Sequence, residues 1–188
     1  MRCSREFPRV APRCGAVAAL VLVCFATFAA AASAAELIPS AGLTRSVDSD
    51  QAKTSLGLAL RAPLLAGFLD AEVGAAYRSE DFESGAVTVR TWPITASAWL
   101  DLSSTMYAGG GLGWYNTTFH DNAGLAADHT EEKVGLHLGA GVRLPLSPSL
   151  GLDLSGRYVF LGSEETNLVP RKFNANSWTT QLGLAVRF

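Results

Sequence analysis

From Trp178 to Phe188 two kinds of residue change places at every step. Trp178, Thr180, Leu182, Leu184, Val186 and Phe188 lie on one parity, and Thr179, Gln181, Gly183, Ala185 and Arg187 on the other. A period of two sends successive side chains to opposite faces of an extended chain, so this segment reads as a strand with one oily face. The pattern returns in residues 150–160, where Leu150, Leu152, Leu154, Gly156, Tyr158 and Phe160 oppose Gly151, Asp153, Ser155, Arg157 and Val159. It returns again in 134–144, where Val134, Leu136, Leu138, Ala140, Val142 and Leu144 oppose Gly135, His137, Gly139, Gly141 and Arg143. Further strands are expected over 53–61, 69–78, 87–102 and 106–119, with a weaker first one over 36–45. No segment carries a helical period of useful length, so the chain reads as an all-β fold of eight strands.

Residues 1–34 read as a cleaved secretory signal peptide, which leaves 35–188 as one domain. Arg2, Arg5, Arg9 and Arg13 against Glu6 make a basic head, and the apolar run behind it ends in the small-x-small sequence Ala32-Ser33-Ala34. Cys3, Cys14 and Cys24 all fall inside this segment, so the exported chain has no disulfide framework, no Cys-ligated zinc and no catalytic thiol. Four of the 15 basic and one of the 17 acidic residues also leave with it, taking the formal charge from −2 to −5. No basic face remains for a nucleic acid. The chain is 48% hydrophobic and 17% charged, yet after residue 36 no run approaches the ~18 apolar residues of a membrane helix. Contact with lipid must therefore come through strands.

The connections support that reading. Segments 62–67, 103–105 and 145–149 are short, whereas 46–52, 79–86, 120–133 and 162–177 are longer and polar. Short turns on one side, long loops on the other and both termini on the short side make the layout of an up-and-down antiparallel transmembrane barrel. Strands of about ten residues cross a bilayer when tilted, and closure leaves no unpaired edge in lipid. A soluble ligand-binding barrel would turn its polar face to water and fill it with lysine, glutamate and threonine. Here the mature chain has three lysines, Lys53, Lys133 and Lys172, all in or beside the long loops. Trp92, Trp99, Trp114, Tyr115, Tyr158, Phe160 and Trp178 gather near strand ends, as interfacial girdles do.

The terminal strand SWTTQLGLAVRF, with Phe188 last, resembles the C-terminal signature of bacterial outer-membrane barrels. MYAGGGLGWYNTTF and VGLHLGAGVRLPLSPSLGLDLSGRYVF resemble the small eight-stranded porin-family, opacity-like and attachment-invasion-like proteins. The resemblance implies residence in the bacterial outer membrane, among its lipids and lipopolysaccharide. It implies too that Phe188 is an assembly signal read by the barrel-assembly machinery. The group shares a topology and no catalytic motif, so the resemblance implies no reaction.

Function must then be sought in the lumen and the loops. On the inward parity fall Arg61, Asp70, Glu72, Arg78, Arg90, Asp101, His137, Arg143, Asp153, Arg157 and Arg187. Charges buried singly are costly, so these are expected to pair, with Arg143 and Asp153, which flank the 145–149 turn, as the first pair. The interior of eight strands is just wide enough for side chains, which favours a structural plug over an ion path. No metal site is expected: His120, Asp121, Asp128 and His129 lack ligand spacing, and the loop acids lack the EF-hand pattern. No cofactor is implied. Outer-membrane lipid A deacylases resemble one another through a His-x-Ser-Asn stretch near the C-terminus; this chain has no histidine after His137, so an enzyme is not expected. The expected role is envelope structure or surface interaction, with a host or envelope ligand meeting the loops, and a narrow solute pore as the alternative. The longest loop, 162–177, with Glu164, Glu165, Arg171, Lys172 and Phe173, is the candidate contact surface.

Overall fold

A computed structural model describes residues 35–47, 51–65, 67–82, 87–121, 129–166, 169–174 and 176–188; the expected signal peptide lies outside them. Eight strands close into one barrel: β1 (Glu36–Ser46), β2 (Lys53–Leu65), β3 (Leu69–Phe82), β4 (Val87–Asp101), β5 (Met106–Asp121), β6 (His129–Ser147), β7 (Leu150–Phe160) and β10 (Ser177–Arg187). Each pairs antiparallel with its sequence neighbours, and β1 meets β10 to seal the cylinder, with Glu36 opposite Arg187. The Phe188 amide donates to the Ala35 carbonyl at 3.1 Å, fastening the two ends of the domain together.

The segment 162–177, expected to be irregular, holds a separate hairpin, β8 (Ser163–Thr166) with β9 (Val169–Asn174). Other strands outrun their expected lengths on the same side. β3 continues to Phe82, and β6 begins at His129, inside the segment read as a loop. These extensions are polar on both faces and so give no period-two signal. They pair nonetheless, as where Thr118 Oγ1 and Thr130 Oγ1 lie 3.1 Å apart across β5 and β6.

Four prolines sit in barrel strands, and each falls where pairing breaks on one side. β1–β10 pairing skips from Leu37↔Val186 to Ser40↔Gly183 around Pro39, and β3–β4 pairing skips from Ala75↔Ile94 to Arg78↔Thr91 around Pro93. Pro63 and Pro145 lie at register shifts near the short turns. Proline has no N–H for a ladder, so breaks of this kind are where a sheet tolerates it.

The alternation sorts the barrel as expected. Leu136, Leu138, Leu154, Leu182 and Leu184 are exposed on the outer wall, while Glu36, Arg61, Asp70, Glu72, His137 and Asp153 are buried in the lumen. The core of this protein is polar.

Candidate functional site

The lumen charges converge in the turn-side half of the barrel. Arg61 on β2 donates from Nε and Nη2 to Glu72 Oε2 on β3 at 2.9 and 2.7 Å, and from Nη1 to Asp153 Oδ2 on β7 at 2.8 Å. Arg157 Nη2 on β7 takes the other Glu72 oxygen at 2.7 Å. The Tyr107 hydroxyl, from β5, donates to Asp153 Oδ1 at 2.7 Å and accepts from Arg61 Nη2 at 3.2 Å. Below this cluster Arg143 Nη2 bonds Asp70 Oδ2 at 2.9 Å, and Arg187 bonds Glu36. Four arginines and four carboxylates thus cross the lumen between β2, β3, β6, β7 and the closing seam. The Arg61 and Glu72 side chains are 2% and 1% exposed. Charges this far from water are tolerable because each donor fork meets a carboxylate.

Two aromatic rings brace the network. Trp99 and Tyr107 meet edge to face at 5.3 Å between centroids. The Arg61 guanidinium stands 4.5 Å from the Tyr107 centroid, and that of Arg157 stands 5.0 Å from Trp99, both within cation–π range. Glycines opposite make the room. A Cβ on Gly141 would run into the Tyr107 ring, and one on Gly139 would lie 3.0 Å from Arg157 Cγ and 3.3 Å from Trp99 Cη2.

Several expectations need correcting. Arg143 and Asp153 do lie opposite each other in the β6–β7 register, but they do not bond. Arg143 reaches across to Asp70, and Asp153 to Arg61. Register partners do bond elsewhere, Arg61 with Glu72 and Arg187 with Glu36, but here Arg143 spans the narrow bore from β6 to β3 and Asp153 is taken by Arg61 from β2. Arg90 is not a lumen residue. It shares parity with Trp92 and Ile94, pairs with Ser79 and Thr118, and is exposed. Trp99 and Tyr115 leave the girdle list for the interior, at 0% and 8% exposure. Trp92, Trp114, Phe160 and Trp178 do face outward, with Tyr158 ring contacts of 4.6 Å to both Phe160 and Trp178.

The remaining residues divide simply. Asp101 is half-buried on the lumen parity, in none of these ion pairs. His137 is buried with Nε2 2.9 Å from Ser97 Oγ and Nδ1 without a partner. Phe188 is exposed at the turn-side rim. Glu164, Glu165, Arg171, Lys172 and Phe173 belong to the backbone of the β8–β9 hairpin, and their side chains lie outside what is described. Sequence reasoning missed Glu36, Tyr107 and Trp99. A usable signal existed for Tyr107: it stands opposite Gly141 in the register, a large residue against none.

Loop-side of the plug the lumen opens into a chamber of about 80 Å³. Its lining includes Ser55, Thr91, Thr95, His137, Arg157 and Gln181. Ser55, Thr91 and His137 each keep a buried polar atom without a protein partner, the situation that ordered water commonly resolves. Among the described residues no group of three or more His, Cys, Asp and Glu is arranged to hold a metal ion.

The fold has several solved counterparts. Neisserial surface protein A superposes with a TM-score of 0.63 at 18% identity, over 82% of this chain and 96% of that one. The attachment invasion locus protein of Yersinia pestis gives 0.56 at 18%, over 82% and 98%, and OprG of Pseudomonas aeruginosa gives 0.55 at 15%, over 83% and 96%. No curated protein sequence matches the chain. The family model of the outer membrane protein beta-barrel domain matches residues 16–188. With closure, an apolar outer wall and a polar plug, the chain belongs to that family and resides in the bacterial outer membrane.

Proposed function

We propose that this barrel is a non-conducting platform whose loop-side hairpins serve envelope structure or contact a host or envelope ligand. The observation that carries this reading is the plug. Ions entering from the loop side meet Arg157, Glu72, Arg61 and Asp153 bonded across the bore at 2.7–2.9 Å, in an interior that eight strands leave barely wide enough for side chains. The strands that outrun the apolar band on the same side supply the presented surface. One structural neighbour, the attachment invasion locus protein, was crystallised in complex with the heparin analogue sucrose octasulfate. That contact belongs to that protein and serves here as a precedent for surface binding on this fold. The proposal gives the chain no enzymatic role.

A second reading, a narrow route for small solutes, draws on the 80 Å³ chamber. Planar bilayers separate the two. The platform gives no stable conductance steps, and steps of uniform size would favour the pore. Capture of the folded protein by intact cells, compared with versions shortened in each loop-side connection in turn, then tests the contact. Unchanged capture by every shortened version would remove surface binding and leave envelope structure.

A further inference from the structure

The chamber above the plug is lined by groups of one chemical kind. Serine and threonine hydroxyls come from β1, β2, β4 and β10, and with them stand the Gln181 amide, His137 and two guanidiniums, Arg78 and Arg157. Among the described residues no aspartate or glutamate lines it. Turn-ward, the nearest carboxylates are already engaged: both oxygens of Glu72 and both of Asp153 accept hydrogen bonds from Arg61, Arg157 or Tyr107. Loop-ward, the inward positions hold Lys53, Glu80, Asp121, His129, Glu131 and Lys133, charges of both signs. Arg78 lies two residues from Glu80 in β3 and has contacts of its own, so the cation that serves the chamber is Arg157.

Arg157 gives Nη2 to Glu72 Oε1 at 2.7 Å, whereas its Nε is buried with no partner in the protein. Three more buried atoms around the chamber share that condition: Ser55 Oγ, Thr91 Oγ1 and His137 Nδ1, on residues 4%, 2% and 1% exposed. The four groups come from β2, β4, β6 and β7 and so surround the space. His137 Nδ1 is a donor in the tautomer whose Nε2 accepts from Ser97 Oγ. Buried polar groups are costly to leave unmet. An occupant that only accepts would meet an Nε–H and two hydroxyls together, and a negative one would add a charge for the guanidinium. A space of about 80 Å³ has room for several waters, hence for an anion the size of nitrate or phosphate.

We propose that the chamber seats a small inorganic anion, with Arg157 as its cation and the surrounding hydroxyls, Ser55 and Thr91 among them, as neutral donors. The plug floors the chamber, so the anion enters and leaves on the loop side. The inference holds whether or not the loops bind a ligand, and it needs no passage through the barrel.

The protein is folded in maltoside micelles, which carry neither charge nor phosphate. Sodium phosphate then replaces sodium gluconate, a bulkier anion, at constant sodium and pH while backbone amides are followed by NMR. The amides of Thr91, His137 and Arg157 are expected to shift along one saturating curve, and those of Leu152 and Leu184 in the turn-side half to stay in place. Nitrate should compete with phosphate for the same shifts. Arg157→Met should weaken phosphate binding by about tenfold or more. Thr91→Val and Ser55→Ala, which leave every bond of the plug in place, should each weaken it by a smaller factor. Shifts that climb in proportion to added salt without saturating mean an adventitious ion only and overturn the proposal. So do equal shifts in gluconate, or saturating shifts confined to amides outside the chamber. Unchanged phosphate affinity in Arg157→Met also overturns it, as does unchanged affinity in both hydroxyl variants where Arg157→Met fails to fold.

Discussion

Replacing Glu72 with alanine tests whether the plug holds the barrel or merely fills it. Glu72 is 1% exposed and accepts three charged hydrogen bonds, two from Arg61 and one from Arg157. Truncating one member of a buried ion pair typically costs about 3–5 kcal/mol, because the partner is left charged and dry. Two features of this lumen argue for the lower end. Arg61 keeps Asp153 at 2.8 Å, and Arg157, 15% exposed, lines the loop-side chamber where water can replace its lost carboxylate. The expected loss is about 3 kcal/mol, measured by urea titration of the vesicle-folded protein with tryptophan fluorescence. Asp70→Ala supplies the contrast. Its partner Arg143 is 20% exposed and lies at the turn-side mouth, so the loss should be nearer about 1 kcal/mol. A Glu72→Ala loss below about 1 kcal/mol, the value of a surface ion pair, would refute the view of the plug as a desolvated network.

Leu138→Arg places a charge on the outer wall at a residue that is 60% exposed and mid-strand. It should cost about 2–4 kcal/mol if that wall meets lipid near the midplane, as should Leu152→Arg in the same urea titration. Gly141→Ala drives a methyl group into the Tyr107 ring and should cost about 1–3 kcal/mol through overpacking, read by the same titration. Replacing residues 164–173 by a Gly/Ser linker removes the β8–β9 hairpin, which is paired within itself and separate from the barrel sheet. The protein should still run compact in SDS until boiled, and identical migration of boiled and unboiled samples would show that the hairpin supports the barrel.

The architecture was legible because facing in a membrane barrel is written locally. Leu182 and Gly183, or Leu138 and His137, declare the outer and inner walls by parity alone, and the eight strands and their closure follow. Parity says nothing, however, about which residues meet across the bore. Arg143 and Asp153 are neighbours by register, yet their partners lie on β3 and β2. To foresee that, one needs the barrel's shear, which fixes the heights of non-adjacent strands and is not written in any one of them. Glu36 was missed for a related reason: its parity was readable, but its partner Arg187 becomes a neighbour only when the last strand meets the first.

Arg90 failed in the opposite direction, and the cause is physical. Strand β4 runs fifteen residues and contains Pro93, where pairing with β3 breaks. A reader who puts both Arg90 and Asp101 inside must assume a slip of one residue between them, since their parities differ. The structure makes no such slip: Thr91, Ser97 and Trp99 are buried, and Trp92, Ile94 and Leu100 are exposed. Proline broke the ladder without shifting the faces, because β4–β5 pairing runs unbroken from Val87 to Asp101 and holds the strand in phase. The charge that looked like a lumen residue therefore emerges on the wall, above Trp92.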